Sequence, residues 1–324
     1  MQVNSKSKEA LVSVIIPTYN RPAYLQEALK SAVSQTYQNI EIIVSDNCST
    51  ENPQAIVESF QDSRIRFGRN AKNLGLCVNI NKAFKNARGK YVASLHDDDI
   101  WEEDFLEKLV PPLEANSDLA LAFCDHYIID ESGAINYQET EKCTRFNHRA
   151  YLKEGVYQPF CKLGIIEGAI SPAIAAVIRK DVVDWDNIPP EIGGTWDTYI
   201  NYLCCRSGQG AYYYPEKLTR HRLYLQSDAL SRSKKYVGTK LQLAKNQIFC
   251  YERLMEDERL EELKPYFKQR WAYATTSIGV DLLRAKQPAE ARPYFLSALG
   301  QYFSLRTLAA LILSFTPRSF SSRF

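Results

Sequence analysis

Between residues 11 and 125 the chain alternates short apolar runs of strand length with segments whose apolar residues return every three or four positions. This alternation constrains the fold more than any other feature, because strands separated by helical crossovers join as parallel neighbours. The runs are LVSVIIP (11–17), IEIIVSD (40–46), RIRF (64–67), YVASL (91–95) and LALAFCD (119–125). After the first run, Leu25, Ala28, Leu29, Ala32 and Val33 fall on one helical stripe, with Asn20 as N-cap and Pro22 in the first turn. NPQAIVESF reads as a short helix, and Cys77, Ile80, Phe84 and Ala87 share one face of another. Phe105, Leu106, Leu109 and Val110 form a further stripe, which Pro111-Pro112 should disturb. The expected fold class is α/β, a mostly parallel sheet with helices on both faces.

From residue 125 to about 172 the pattern weakens and loops are expected. AIAAVIRK (173–180) reads as a strand, a helix begins at Asp197, and AYYYPE reads as a strand. After about residue 231 every segment reads helical, and GVDLLRAKQPAEARPYFLSAL resembles a single tetratricopeptide helix pair. One pair makes no array.

Formal net charge is +2 with dispersed basic residues, which argues against a nucleic-acid partner. None of the eight cysteines is spaced C-x-x-C, so they read as buried thiols in a reducing cytosol rather than zinc ligands. The first ten residues, MQVNSKSKEA, are too polar for a signal peptide. Near the C-terminus the longest apolar run is LAALIL, far short of the ~20 residues of a spanning helix. The expected location is cytoplasmic, with peripheral contact at the inner face of a membrane through this tail left open.

SLHDDDIW (94–101) gathers three carboxylates where a strand ends. In a doubly wound sheet ligands bind beyond the carboxyl ends of strands, and Asp46, ending the second run, belongs on the same rim. Hard carboxylate oxygens suit magnesium or manganese when substrate phosphates complete the shell. His96 is a further candidate ligand, and Trp101 a candidate aromatic wall. A solvated turn preceding a helix is the plainer alternative.

VSVIIPTYNRPAYLQEALKSAVSQTYQNIEIIVSDNCSTE, followed by NAKNLGLCVNINKAFKNARGKYVASLHDDDIWEEDFL, resembles the family 2 glycosyltransferases. The ordered set is PTYN, SDN-x-ST, N-x-G-L and a strand followed by aspartates, close over about residues 11–130 and looser to about Asp228. The resemblance implies a GT-A fold and an inverting transfer from a nucleotide-sugar donor, with UDP the expected nucleotide, to a glycan or glycolipid acceptor in cell-surface polysaccharide synthesis. It implies that Pro17, Thr18, Tyr19 and Asn20 line the base pocket, that Arg21 reaches a phosphate or ribose, and that Asp46 accepts from the base. Asn73 and Gly75 would shape the nucleotide site, Asp98 would contact ribose or sugar hydroxyls, and Asp99 with Asp97 would bind a divalent cation, Mn2+ or Mg2+. The family often shows D-x-D-D here, which places His96 at the first aspartate. Asp197 matches the general base, although Thr195-Trp196 stand where an acidic pair is usual; an ordinary N-cap is the alternative. Arg220 and Arg222 would close over the diphosphate, and His221 is a further candidate metal ligand.

The implied organisation is a polar tail (1–10), a GT-A domain (11–230) with nucleotide-binding (11–125) and acceptor (126–230) halves, and a helical extension (231–324). Competing readings are a non-catalytic nucleotide-sugar-binding protein and a nucleotidyltransferase on a similar sheet. PTYNRP, in place of a Gly-rich basic loop after the first strand, disfavours the latter.

Overall fold

The computed structural model describes residues 9–224 and 234–316, with side chains from residue 240 onward in the second stretch. Strands β1 (Val12–Thr18), β2 (Ile40–Asp46), β3 (Ile65–Arg69) and β4 (Tyr91–Ser94) lie in the order β3-β2-β1-β4, all parallel. β1, β2 and β4 are buried from end to end, so their sequences run apolar instead of alternating. Helices α1 (Pro22–Val33), α2 (Gln54–Ser59) and α3 (Leu76–Lys85) make the crossovers. Leu25, Ala28, Leu29 and Ala32 of α1, and Cys77, Ile80 and Phe84 of α3, are buried as their spacing demands.

Five more strands extend the sheet beyond β4 in the order β8-β6-β9-β5: β5 (Ile100–Trp101), β6 (Leu119–Ile129), β7 (Gly155–Tyr157), β8 (Ala176–Arg179) and β9 (Gly210–Arg222), with β7 also pairing β9. β8 runs antiparallel to both β4 and β6, and β9 runs parallel to β6. The result is a mixed sheet of nine strands among the described residues.

Several local expectations are corrected. Asn20 does not cap α1: Arg21 holds the cap position, while Asn20 sits at φ 56° and accepts from the Thr50 N–H at 2.7 Å. Helix α4 (Phe105–Ala115) runs through Pro111-Pro112, and Phe105, Leu106, Leu109 and Val110 are buried. Residues 125–172 are not mainly loops. β6 continues to Ile129 because His126–Ile129 pair in register with Thr219–Arg222 of β9. Helix α5 (Tyr137–Phe146) follows, and its buried residues are Thr140 and Thr144, so it carries no apolar stripe for a sequence to display. Helix α6 (Trp196–Arg206) starts with Trp196, whose ring stacks 5.6 Å from Phe84 and donates to Asn81 Oδ1 at 2.9 Å.

The chain divides into two compact units: residues up to Pro190 with a stretch beginning at Trp196, and Glu191–Thr195 with the C-terminal helices. Within the first unit, β6 runs through residue 125, the expected join of the two halves. The expected boundary near residue 230, Asp228 and residues 1–8 of the polar tail lie outside the described residues.

In the second unit, α7 (Lys234–Met255), α8 (Lys264–Arg284), α9 (Pro288–Gln301) and α10 (Leu305–Leu313) pack in sequence, each on the next. Ala291, Phe295 and Ala310 form its centre with Val280, Leu282, Leu283 and Leu311 around them. Asn246 binds the Glu191–Thr195 segment, donating to the Glu191 carbonyl at 2.5 Å and accepting from the Gly194 N–H at 3.4 Å. Among the described residues no helix is long and apolar enough to cross a membrane.

Candidate functional site

The parallel register aligns the carboxyl ends of β1, β2 and β4: Thr18 lies opposite Asp46, and Ile15 opposite Ser94. A cleft of about 530 Å³ opens at this rim. Pro17, Thr18, Tyr19, Arg21, Asn73, Gly75, Asp97 and Asp98, all singled out in the sequence, line it together with His96, Asn47, Leu76 and Asn79. Tyr19 and Leu76 are each nearly half exposed and give the cleft apolar walls. Gly75 sits at φ +82°, where a side chain would be strained, and its N–H bonds Asn73 Oδ1 at 2.9 Å. Asn73 Oδ1 also accepts from Asn47 Nδ2 at 2.9 Å, so one amide holds the lip of the cleft in shape.

Three consecutive carboxylates take three different roles. Asp97 is buried and braces β1: its Oδ2 accepts from Thr18 Oγ1 at 2.8 Å and from the Tyr19 N–H at 3.3 Å. Burial and the neighbouring Asp98 raise its pKa above the usual carboxylate value, against the lowering pull of Thr18, Arg21 and His96. Asp98 accepts from Arg21 Nη1 at 2.5 Å and from the Tyr224 hydroxyl at 2.9 Å. Asp99 is buried to 1% exposure, and its Oδ1 accepts from His221 Nδ1 and the Arg222 N–H, each at 3.0 Å.

Among the described residues, neither Asp99 Oδ2 nor the buried Nε2 of His96 has a hydrogen-bond partner. A desolvated carboxylate oxygen left bare is costly, and a cation is the natural remedy. Ligand atoms of His96, Asp98 and Asp99 all lie within 4.8 Å of one another. One imidazole nitrogen and carboxylate oxygens form a donor set that manganese or magnesium accepts. The geometry therefore moves the expected partner of Asp99 from Asp97, whose oxygens are engaged, to Asp98 and His96.

Asp197 lies in the first turn of α6, with its Oδ1 accepting from the Ala173 N–H at 2.8 Å. Burial raises its pKa, the Asp99 charge adds to the rise, and His96, His221 and the Ala173 N–H pull the other way. These electrostatic neighbours put Asp197 in the same charged cluster as the acidic loop. The His221 ring, next to Asp99, titrates above its ordinary value: burial lowers it, but the hydrogen bond and charge of Asp99 prevail.

Five sequence expectations fare differently. Asp46 is fully buried; its carboxylate accepts from the Ser49 N–H and hydroxyl and pairs with Arg69 at 3.4 Å, so it does not face the cleft. Asn20 joins loops by accepting from Thr50 and lines a smaller neighbouring cavity of about 240 Å³. Arg220 is spent on a bidentate pair with Glu102, at 2.6 and 3.0 Å. The Arg222 side chain is fully buried; it donates to the carbonyls of Asp98, Asp130 and Glu131, pairs with Glu27 at 2.6 Å and stacks over Tyr24. Both guanidinium groups are thus engaged by protein partners. Arg21, with its side chain 43% exposed, is the one in the cleft. Trp101 is no wall: it is buried against Phe105 and donates to the Ile174 carbonyl at 2.8 Å.

Sequence reasoning passed over Asn47, Asn79 and Tyr224. Asn79 had a signal, a polar residue beside Ile80 on the buried face of α3, where it exchanges hydrogen bonds with Ser45. Tyr224 had none, because only the folded chain brings it to Asp98 and over Arg21, whose guanidinium lies 5.4 Å from the ring.

Residues 13–171 match the model of the family described as Glycosyl transferase family 2. Among curated relatives, an uncharacterized glycosyltransferase of Methanocaldococcus jannaschii is 43% identical over 129 residues, 39% of this chain and 44% of its own length. The UDP-Glc:alpha-D-GlcNAc-diphosphoundecaprenol beta-1,3-glucosyltransferase WfgD of Escherichia coli is 33% identical over 125 residues, 39% of this chain and 49% of its own length. The matched stretch thus spans just under half of either relative. Among solved structures, residues 1–349 of S. aureus TarS in complex with UDP-GlcNAc superpose with a TM-score of 0.67 at 16% identity, covering 94% of this chain and 88% of that one. At that identity the likeness speaks for the fold alone: a GT-A sheet followed by helices. Through residues 13–171 the chain belongs to glycosyl transferase family 2.

Proposed function

We propose that the protein transfers a sugar from a UDP-sugar to a hydroxyl of a glycan or glycolipid acceptor, with inversion at the anomeric carbon, in the synthesis of a cell-surface polysaccharide or glycoconjugate. One observation carries the reading: an orphaned buried carboxylate oxygen on Asp99, next to a cleft lined by His96, Asp98, Thr18, Tyr19, Arg21 and Asn73. Family membership, and a relative named for UDP-glucose and a lipid-diphosphate acceptor, agree with it.

The base would stack against Tyr19, and Asn47 and Asn73 offer it polar edges. Arg21 would meet the diphosphate, since guanidinium pairs with phosphate in two places at once. A divalent cation, Mn2+ or Mg2+, held by Asp99, Asp98 and His96, would offset the charge on the departing diphosphate. Asp97 braces the loop from behind, and His221 and the Arg222 N–H fix Asp99 in place.

Asp197 acts as general base. Its raised pKa makes it a stronger base than a solvated aspartate, and the Ala173 N–H fixes one oxygen while leaving the other for the acceptor hydroxyl. It takes the hydroxyl proton as the acceptor oxygen attacks the anomeric carbon; the bond to the diphosphate oxygen breaks on the opposite face, and UDP leaves with that electron pair.

Incubation with a panel of UDP- and GDP-sugars and manganese tests the proposal, because slow transfer to water releases the free nucleotide. Release from one or a few UDP-sugars is expected. Binding of a sugar nucleotide with no release and no transfer, in the presence of candidate acceptors, would make the protein a binder instead. Absence of binding to any of them would overturn the proposal.

A further inference from the structure

Helix α10 is amphipathic in the wrong sense. Its buried face carries Thr307, Ala310 and Ser314, at 2%, 7% and 2% exposure, while Leu305 and Ile312 stand 75% and 58% exposed. Leu305, Ala309, Ile312 and Leu313 fall at i, i+4, i+7 and i+8, a single stripe turned to solvent. The inward face is held by hydroxyl chemistry: Thr307 Oγ1 and Thr276 Oγ1 share a hydrogen bond at 2.8 Å, and Arg292 of α9 donates to the Ser314 carbonyl at 2.8 Å. Leu311 packs on the core of the unit, but packing there does not account for Leu305, Ile312 and Leu313.

The surroundings of the stripe are aromatic and basic. Phe303 and Phe315, flanking the helix, are each 64% exposed. Arg306 lies over Tyr273 at 4.4 Å and Arg292 over Phe315 at 4.1 Å. From residue 291 to the end the sequence holds four arginines and neither aspartate nor glutamate. Exposed apolar stripe, aromatic rim and unopposed positive charge together describe a helix lying in the headgroup region of a bilayer with anionic lipid. A second copy of the chain fits poorly, since two such faces would oppose arginines with no acidic residue in the segment to offset them.

We infer that α10 and its flanking aromatic residues dock the helical unit on the surface of an anionic membrane. Leu305, Ile312 and Leu313 enter the acyl boundary while Arg306 meets lipid phosphates. This inference rests on the helical unit alone, so its test needs no sugar nucleotide and stands or falls separately from the proposed activity.

The test is co-sedimentation of the full chain with vesicles of mixed phosphatidylglycerol and phosphatidylcholine, beside vesicles of phosphatidylcholine alone. Binding to the mixed vesicles is expected, weakening with added salt. The substitutions Leu305→Ser, Ile312→Ser and Leu313→Ser together should abolish it, and Arg306→Gln should weaken it about fivefold, the share of one arginine near such a surface. These side chains are exposed, so near-ultraviolet circular dichroism and the melting temperature should match the parent. Equal binding to the neutral vesicles would overturn the inference, as would binding that survives the triple substitution. So would failure to bind, or a dimer in light scattering that the triple substitution dissolves.

Discussion

Replacing Asp197 by asparagine tests the catalytic assignment with little disturbance to the fold. Asparagine has nearly the same shape, and its carbonyl oxygen can still accept from the Ala173 N–H, now at 2.8 Å. What disappears is the ability to hold a proton taken from the acceptor. A positioned general base contributes about 10²–10⁴-fold, equivalent to about 3–5.5 kcal/mol of barrier, and turnover should fall by that factor. Affinity for UDP should be unchanged, because Asp197 does not line the nucleotide cleft. The assay is UDP release with acceptor present, followed across pH. Burial and the Asp99 charge raise the Asp197 pKa, so the parent should lose activity on the acid side above the ordinary carboxylate value of about 4. That limb should vanish in the variant.

The same shift makes a stability statement of definite sign. A carboxyl whose folded pKa is raised binds its proton more tightly in the native state than in the unfolded chain. Its contribution is full below the unfolded pKa and lost as pH rises through the folded pKa. Asp197→Asn should therefore melt higher than the parent at neutral pH, with the gain shrinking in acid. Unchanged turnover would refute the base assignment, and a lower melting temperature at neutral pH would refute the account of its strain.

Asp99→Asn should weaken binding of UDP with manganese by more than tenfold in calorimetry while leaving the weaker binding of UDP alone nearly intact, since changes to groups that only support a metal ligand already cost about 10–100-fold. Arg21→Ala should weaken nucleotide binding, whereas Arg220→Ala, which breaks only the pair with Glu102, should not; the reverse order in a titration would return the phosphate role to β9. In the helical unit, a Cβ at Gly279 would sit 2.5 Å from the buried Phe295 ring, so Gly279→Ala should cost about 1–3 kcal/mol in urea unfolding, and a neutral result would mean that α8 and α9 pack less tightly than described.

Strands β1, β2 and β4 were legible because burial on both faces leaves no room for polar alternation, and the acidic loop because three carboxylates after a strand are hard to explain otherwise. Helix α5 was hidden because threonines, rather than aliphatic residues, face inward. The partners of Arg220 and Arg222 were hidden for a different reason. A sequence displays a charge but not its partner, and the pairing of β9 with β5 and β6 delivers both guanidinium groups to carboxylates and carbonyls far away in the chain. The surroundings of Asp46 were hidden in the same way: it ends β2 as expected, but Ser49 and Arg69 set its orientation.

Arg222 fastens three segments to β9 at once, since its backbone N–H holds Asp99 while its guanidinium holds the carbonyls of Asp98, Asp130 and Glu131 and the carboxylate of Glu27. The loop and its fastening stand more than a hundred positions apart along the chain. Contacts of such separation close late, after the sheet's nearer neighbours have met. During synthesis, the ribosome will have released β1 to β4, and with them most of the cleft, long before the residue that steadies the acidic turn emerges. A nascent fragment ending ahead of β9 should hold the outline of the donor cleft without a fixed grip on the cation.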